Sequence, residues 1–170
     1  MIVVDLRAIQ RPYKQGYRED PSTARITLTA RGAPEDTPMA CSVDLGRAIY
    51  AAEAHPGVGG AGTAACSGDL LLGALAACAQ LTCQMVATAM GIELDRIEVT
   101  VEGDLDLRGT LGMSDEAPVG FSAIRVMYDL DAPGVSMDRL DQLKEKAERY
   151  CVVMQTLTES PPIDTAWRHD

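Results

Sequence analysis

The residues best able to do chemistry in this sequence are its five cysteines. Their number is odd and no two form a C-x-x-C pair, which argues against both a secreted disulfide framework and a zinc ribbon. Only two histidines, His55 and His169, are present, so a histidine-rich metal site is hard to build. We therefore expect no metal and no cofactor, and chemistry carried by sulfur, carboxylates or guanidinium groups. The cysteines are Cys41, Cys66, Cys78, Cys83 and Cys151.

Two of these cysteines, Cys78 and Cys83, lie on one predicted helix. At about 100° per residue their side chains point roughly 140° apart and cannot face each other. A redox partner for either thiol must come from another element, and Cys151 is the natural candidate. A free cysteine in an Ala/Leu-rich helix is most often a small buried hydrophobe, and we interpret Cys41 and Cys83 as packing residues. Cys66 precedes the helix, where the dipole can lower a thiol pKa, so it could replace or supplement Cys151.

A glycine pattern precedes the same helix. Gly57, Gly59 and Gly62 satisfy G-x-G-x-x-G, which in nucleotide sites brings the backbone close to a pyrophosphate. The preceding segment "AAEAHP" is not predicted to be a strand, and the helix starts only near Ser67. The residue twenty positions after Gly62 is Thr82 rather than an acid for the ribose. We interpret the glycines as a loop leading to the helix.

The helix itself is predicted to begin at Ser67 as N-cap, with Asp69 in its first turn, and to end at Gly91. Residues 70–90 carry no charge, and a run of that length reaches a membrane span. Several polar side chains, many alanines and the lack of a basic flank argue against a span. We predict a helix buried on all sides in a protein core.

Alternation of apolar and polar residues predicts strands on both sides of this helix. Two strands, at 24–30 and 39–45, are separated by a Gly/Pro/Asp stretch and form a hairpin in the simplest connection. Two more lie at 97–109 and 121–131. The last has one apolar face, and both resemble half-buried antiparallel strands. The residues of that face are Ile124, Val126, Tyr128 and Leu130.

A second helix is predicted from Ser136, with an apolar stripe at steps of three and four. "SPPIDTAW" after it could supply an edge strand. With no repeat and no linker, we expect one α+β domain. We divide residues 1–170 into N-terminal strands and loops (1–50), a central cysteine helix (67–90), strands (97–131) and a second cysteine helix (136–160). The stripe consists of Leu140, Leu143, Ala147, Tyr150, Met154 and Leu157.

Charge limits the partners of the protein. The formal net charge of −10 disfavours binding to nucleic acid or acidic lipid, because both would be repelled. Asp5 and Arg7 interrupt the stretch where a signal peptide would need an apolar run. We expect a cytoplasmic protein that binds neither nucleic acid nor membrane.

The stretch "SGDLLLGALAACAQLTCQMVATAMGIELDRIEVTVEGDLDLRG", followed by "ERYCVVMQTL", resembles the OsmC-like family, which includes the organic hydroperoxide resistance proteins. The resemblance covers about residues 60–160 and is weaker before residue 50. It implies an intertwined homodimer in which antiparallel sheets surround long central helices. It also implies that both thiols lie at the dimer interface, with the central helix partly buried by the partner chain.

The resemblance further implies a mechanism. Cys78 would be the peroxidatic thiol that attacks an organic hydroperoxide, and Cys151 would resolve the resulting sulfenic acid as a disulfide. An external dithiol, in the family often a lipoyl-type one, would reduce this disulfide. Burial opposes ionisation of Cys78, so a cation must compensate. Family members supply an arginine, and Arg18 is the best positional match because it precedes the first strand.

Other residues compete for this site. Arg11 and Arg25 are alternatives to Arg18. The family glutamate that holds the arginine is missing, because Gly68 stands ten residues before Cys78. Asp69 is the nearby acid, although it could equally be a first-turn helix carboxylate. A strand face with Asp104, Asp106 and Arg108 could also form a polar site or simply be exposed.

Two other functions remain open. A non-catalytic dimeric module could bind a hydrophobic or thiol-bearing ligand in the same pocket. A cysteine hydrolase would need a base beside the thiol. His55 is the only supplier of that base we find, and its position before a proline favours a loop-packing role.

Overall fold

The protein combines helices with short antiparallel strands, as the predicted α+β class requires. The computed structural model describes residues 6–20, 25, 27, 31–34, 40–44 and 48–169. Its elements are, in chain order, α1 (Leu6–Glu19), β1 (Arg31–Pro34), β2 (Ala40–Asp44), β3 (Ile49–Glu53), α2 (Ser67–Met90), β4 (Arg96–Asp104), α3 (Leu107–Thr110), β5 (Ala123–Asp131), α4 (Met137–Tyr150) and α5 (Val152–Thr158).

Contacts divide the chain into two compact units. The first unit consists of Met1–Gly73 and Val101–Val126, and the second of Ala74–Thr100 and Met127–Asp170. Helix α2 and strands β4 and β5 each contribute to both. That all 170 residues form a single domain stays a prediction.

The N-terminal region differs from the prediction of strands and loops over residues 1–50. It contains the helix α1, with Pro12 inside it. Strand periodicity misses this helix because most of its residues are polar, although Leu6, Ile9, Tyr13 and Tyr17 recur at helical spacing. The predicted strand 24–30 falls mostly outside the described residues, and β1 lies in the stretch that the sequence assigns to a loop.

The first unit carries a three-stranded antiparallel sheet in the order β1-β2-β3. Ala40 of β2 is paired with Glu53 of β3, and Ala52 makes a further bridge to Ala65. The prediction that "AAEAHP" is not a strand is therefore wrong for Ala51, Ala52 and Glu53. Pairing with β2 holds this small-residue segment extended despite its low intrinsic strand propensity.

Helix α2 spans the predicted range, but its start and burial differ from expectation. The N-cap position belongs to Cys66, whose carbonyl accepts from the Leu70 amide at 3.0 Å. Leu81 and Met85 are 58% and 44% exposed, so the helix is not buried on all sides in the single chain. By length and composition alone α2 could cross a membrane, a test that core helices of soluble proteins also pass.

Strands β4 and β5 form a two-stranded ribbon. Residues 124, 126, 128 and 130 are the less exposed face of β5, as predicted. Strand β4 ends at Asp104, earlier than predicted, because the Asp106 side chain caps α3 by accepting from the Arg108 amide at 3.1 Å. Asp104, Asp106 and Arg108 therefore do not share a strand face.

The predicted second cysteine helix is two helices, α4 and α5, that meet at Cys151. In the second unit α4 packs on α2 through a core of Cys83, Ala87, Leu143 and Ala147. Leu143 and Ala147, the α4 residues of this core, belong to the predicted apolar stripe. Residues 160–169 form no regular element, so the predicted edge strand is absent there; Pro161 and Pro162 remove two backbone donors that a strand would use.

Candidate functional site

Two predicted site residues, Cys78 and Cys151, come together in the second unit. Cys78 lies in the middle of α2 and is partly buried, whereas Cys151 at the α4–α5 junction is fully buried. The two thiols lie close enough for each to shift the pKa of the other. Both cysteines are free thiols in this structure. The arrangement places a second sulfur near the one on the central helix.

The backbone at Cys151 explains how this proximity arises. Cys151 ends α4 and also precedes α5, with an extended conformation at φ −75 and ψ 103. The first amides of a helix have no partner within that helix. At this break the Val153 and Val152 amides are near Cys78 and lower the pKa of its thiol. Gln155 braces the junction through its side-chain nitrogen, which donates to the Glu148 carbonyl at 3.1 Å.

The pKa values of the two thiols are shifted in opposite directions. Burial raises the pKa of Cys78, but hydrogen bonds from the Val153 amide, Cys151, Thr82 and the Val152 amide outweigh it, so that the pKa is lowered. Burial raises the pKa of Cys151, and its bond to Cys78 raises it further. Cys78 is thus the thiol that ionises first, and Cys151 is the donor that stabilises the resulting thiolate.

Thr82 is a site residue that the sequence analysis missed. Its side chain is buried, and its hydroxyl lies 4.0 Å from the Cys78 sulfur. The two residues are four positions apart, which places them on one face of a helix. This spacing was a usable signal, but threonine in an apolar helix is also an ordinary packing residue.

Tyr128 is a second residue that the sequence analysis did not single out for chemistry. It lies on the inner face of β5 against the core that includes Cys83. Its hydroxyl oxygen is buried and has no hydrogen-bond partner among the described residues. Burial, followed by the charges of Cys151, Cys83, Glu148 and Cys78, raises the pKa of Tyr128 to about 12. The alternating pattern of the strand predicted only that Tyr128 lies on its apolar face.

Cys83 lies in the same unit, but no hydrogen bond is among the causes that shift the pKa of its thiol. It is 2% exposed and belongs to the hydrophobic core. Burial alone raises the pKa of its thiol. The interpretation of Cys83 as a packing residue is therefore confirmed, whereas the side chain of Cys41 lies outside the described residues.

The predicted arginine and acid belong to the first unit. Arg18 lies in the last turn of α1 and is exposed, as are Arg11 and Arg25. The main causes that shift the pKa of Cys78 are burial and hydrogen bonds from the described part of the chain, and none of these causes is a guanidinium. An activating role for Arg18 stays a prediction.

Asp69 has a structural partner at the start of α2. Its carboxylate accepts from the Cys66 amide at 2.9 Å, and this bond lowers its pKa. The Cys66 side chain also contributes to the lowered pKa of Asp69. This is the back-bonded half of a helix capping box. At Gly68, the position of the missing glutamate, an added Cβ would lie 3.3 Å from Phe121 and 3.5 Å from the Cys66 sulfur.

In the glycine loop, backbone amides donate to a carboxylate of the protein rather than to a phosphate. Glu53 accepts from the amides of Thr63 and Ala64, and the Ala64 bond is the main cause of its lowered pKa. His55 accepts from the Gly57 amide at 3.0 Å, which ties its imidazole to the loop. This contact agrees with the loop-packing interpretation of His55.

An open groove of about 530 Å³ runs along the α4–α5 junction. Tyr150, Val152 and Pro161 give it an apolar lining, with Arg149 at one side. The Arg149 guanidinium lies 5.7 Å from the centre of the Tyr150 ring. In the part of the chain that the structure describes, no cluster of three or more His, Cys, Asp or Glu side chains could hold a metal.

Comparison with known proteins gives a consistent fold. The family model for OsmC-like protein matches residues 60–166. An OsmC-like protein from Mycoplasma pneumoniae superimposes with a TM-score of 0.67 at 16% identity, covering 79% of this chain and 89% of that one. An organic hydroperoxide resistance protein from Elizabethkingia anophelis gives 0.59 at 20% identity, covering 80% and 91%. A protein of the same description from Legionella pneumophila gives 0.56 at 20% identity, covering 78% and 89%.

At these identities the solved structures establish the fold alone. No curated protein matches the chain.

Proposed function

The chain belongs to the OsmC-like family, and from that premise we propose that it is a thiol-dependent peroxidase that reduces organic hydroperoxides. Proteins of this family are typically dimeric and act on organic hydroperoxides. The observation that supports the proposal is the proximity of Cys78 and Cys151, each of which shifts the pKa of the other. A peroxidatic thiol needs both an ionised sulfur and a second thiol within reach, and this pair supplies both.

In the first step the Cys78 thiolate attacks the outer oxygen of the hydroperoxide. The S–O bond forms, the O–O bond breaks, and the alkoxide leaves with a proton as an alcohol. Cys78 becomes a sulfenic acid. The amides of Val152 and Val153 and the Thr82 hydroxyl favour the thiolate form that this step requires.

In the second step the Cys151 sulfur attacks the sulfenic sulfur of Cys78. The S–S bond forms, and the hydroxyl leaves as water with the proton of Cys151. A disulfide then links α2 to the α4–α5 junction. An external dithiol, of the lipoyl type, restores both thiols by exchange through a mixed disulfide.

The apolar groove beside Cys151 supports an organic substrate. Val152 is 70% exposed and Tyr150 is 57% exposed, so both can contact the hydrocarbon part of a hydroperoxide. Apolar contact lowers the free energy of a bulky hydroperoxide in the site by about 25 cal/mol per Å² buried and gives hydrogen peroxide almost nothing. The proposed preference is therefore for alkyl and aryl hydroperoxides.

The exposed apolar side of α2 supports the homodimer that the family resemblance implies. Leu81 and Met85 leave apolar area in contact with water in the single chain. A second copy would remove that area from solvent, which favours an intertwined pair with the central helices inside. OsmC-like proteins are soluble, and we place this one in the cytoplasm.

A non-catalytic module is the second candidate, and the absence of the family glutamate favours it. Gly68 occupies that position, and no guanidinium is among the described groups that lower the pKa of Cys78. The hydrogen bonds at Cys78 would then serve ligand binding without turnover. This candidate predicts no peroxide consumption at any pH.

The deciding experiment is a cell-free assay with cumene hydroperoxide and dihydrolipoamide. We expect steady consumption by the unmodified protein and its loss in Cys78→Ser. Cys83→Ala is the matched control, because it removes another α2 thiol that has no redox partner, and it should retain turnover. Equal rates for the unmodified protein and Cys78→Ser would reject the peroxidase.

A further inference from the structure

Two large apolar side chains are exposed in the segment that follows α5. Residues 160–169 form no regular element, and we call them the C-terminal segment. Ile163 is 85% exposed, and Trp167, the one tryptophan of the sequence, is 82% exposed. Tryptophan is highly buried on average in folded proteins. The exposure of Trp167 is therefore a feature that the packing of the single chain does not explain.

The C-terminal segment starts from the wall of the apolar groove at the α4–α5 junction. Pro161 lines this groove together with Tyr150 and Val152. Only Pro162 separates Pro161 from Ile163, so the segment leaves the groove wall without an intervening linker. The groove and the segment both belong to the second unit.

The length of the segment allows Trp167 to reach every part of the groove. Trp167 follows Pro161 by six residues, which span about 20 Å when extended. The groove lining runs along α5 from Val152 to Glu159, a helical rise of about 10 Å. A segment that folds back antiparallel to α5 therefore brings the indole over Val152 while its first residues stay in place.

Charge does not oppose this movement. The groove lining contains one guanidinium, Arg149, and one carboxylate, Glu159. The C-terminal segment also contains one of each, Arg168 and Asp164. Within the described ranges of the chain, none of these four side chains forms an ion pair. Closure of the segment over the groove therefore breaks no ion pair.

We propose that the C-terminal segment closes over the groove when an apolar ligand occupies it, and that Trp167 then forms the outer wall of the organic-substrate site. The inference rests on the proposed function, because the ligand is the hydrocarbon part of the hydroperoxide. Ordering the backbone of several residues costs conformational entropy, and burial of one indole on an empty groove does not outweigh that cost. A bound ligand adds apolar area beneath the ring, so closure requires the ligand.

The segment closes on the groove of its own chain rather than on that of a second copy. Because it is attached at Pro161, its effective concentration at this groove is in the millimolar range. A segment from another copy has no such attachment and must first associate. Closure is therefore independent of protein concentration.

Trp167 reports its own position, because no other tryptophan contributes to the fluorescence. The probe is 2-phenyl-2-propanol, the alcohol formed from cumene hydroperoxide, which does not react with thiols. When calorimetric titration shows saturation, the emission of Trp167 should lie at shorter wavelength and its quenching by acrylamide should fall several-fold. Val152→Asn should raise the alcohol concentration required. Unchanged emission and quenching at saturation, or no binding of the alcohol, would overturn the proposal.

The same quenching experiment, repeated over a wide range of protein concentration, identifies the surface on which Trp167 packs. Protection by the alcohol should be equal throughout that range. Protection that grows with protein concentration would overturn the proposal, since Trp167 would then pack on a second copy. Full protection without the alcohol would also overturn it, because the segment would already be closed.

Steady-state kinetics provides the second measurement. Trp167→Ala removes an exposed ring outside the core and should raise KM for cumene hydroperoxide several-fold, with kcat unchanged and hydrogen peroxide consumption unaffected. Met137→Ala is the matched control, because Met137 is 70% exposed at the end of α4 far from the groove, and it should match the unmodified protein. An unchanged KM in Trp167→Ala would overturn the role of the ring. Protection of Trp167 by the alcohol without peroxide consumption by the unmodified protein would reject the peroxidase and support the closure.

Discussion

Cys151 is fully buried and lies close enough to Cys78 for the two thiols to shift each other's pKa. The relationship is asymmetric, because the interaction lowers the pKa of Cys78 and raises that of Cys151. In a thiol pair arranged in this way, one thiol ionises more readily and can act as the nucleophile, while the other keeps its proton. The roles assigned to the two residues follow from this asymmetry.

The interaction between the two thiols can be tested by pH-dependent alkylation of Cys78. Cys151→Ala removes the donor, so the pKa of Cys78 should rise and its alkylation curve should move to higher pH. Cys151→Ser keeps a hydroxyl donor and should leave the curve near its original place. The measurement is the rate of iodoacetamide modification of the Cys78 peptide from pH 5 to 10. Identical curves for the alanine and serine variants would contradict the assigned interaction.

Thr82 is expected to contribute to the same shift. Thr82→Val keeps the side-chain shape but removes the hydroxyl that helps to lower the pKa of Cys78. The pKa should rise, so the fraction of thiolate and the rate of peroxide consumption at neutral pH should both fall several-fold, with recovery at higher pH. Thr88→Val is the control, because Thr88 is exposed on the same helix and its hydroxyl donates to the Gln84 carbonyl. Equal activity in both variants would exclude a role for Thr82.

The groove beside Cys151 predicts a change in substrate preference. Val152→Asn puts a neutral polar group into the apolar lining, which should lower kcat/KM for cumene hydroperoxide several-fold and hardly affect hydrogen peroxide. Val119→Asn is the control, since Val119 is 69% exposed and lies in the other unit. The two substrates are compared under the same conditions. A parallel loss with both substrates would show that the groove does not select the organic group.

The loop before α2 depends on a close backbone approach at Gly60. A Cβ added there would lie 1.5 Å from the Ala54 carbonyl oxygen, so the backbone must move. Gly60→Ala should lower the free energy of unfolding by about 2 kcal/mol or more. Gly120→Ala, where no atom lies within 4 Å of the added Cβ, should be nearly neutral. Denaturant unfolding measures both, and equal stability would contradict the loop geometry.

The sequence predicted those features that follow from periodicity. It gave the range of α2, the inner face of β5 and the stripe on α4, because each repeats an apolar position at a fixed step. The spacing of Cys78 and Cys83 pointed to a partner on another element, with Cys151 as the natural candidate. The pairing of Cys78 with Cys151 came from the resemblance to the OsmC-like family and stays a prediction.

The features that the sequence did not predict depend on backbone angles and on three-dimensional contacts, which the spacing of apolar residues does not report. Helix α1 is mostly polar and contains Pro12, so its apolar spacing was overlooked. The break at Cys151 has no glycine or proline to mark it, and it is visible only in the backbone angles. The Tyr128 hydroxyl is unpaired only because of what surrounds it in three dimensions.

The central claim is that Cys78 and Cys151 form one redox pair, and peptide mapping after a single oxidation tests it most directly. The reduced protein is treated with one equivalent of cumene hydroperoxide, free thiols are blocked, and the digest is analysed without reduction. We predict loss of two of the five thiols and a peptide that joins Cys78 to Cys151. Recovery of Cys151 as a blocked thiol, with Cys78 unmodified or oxidised to sulfinic acid, would contradict the account.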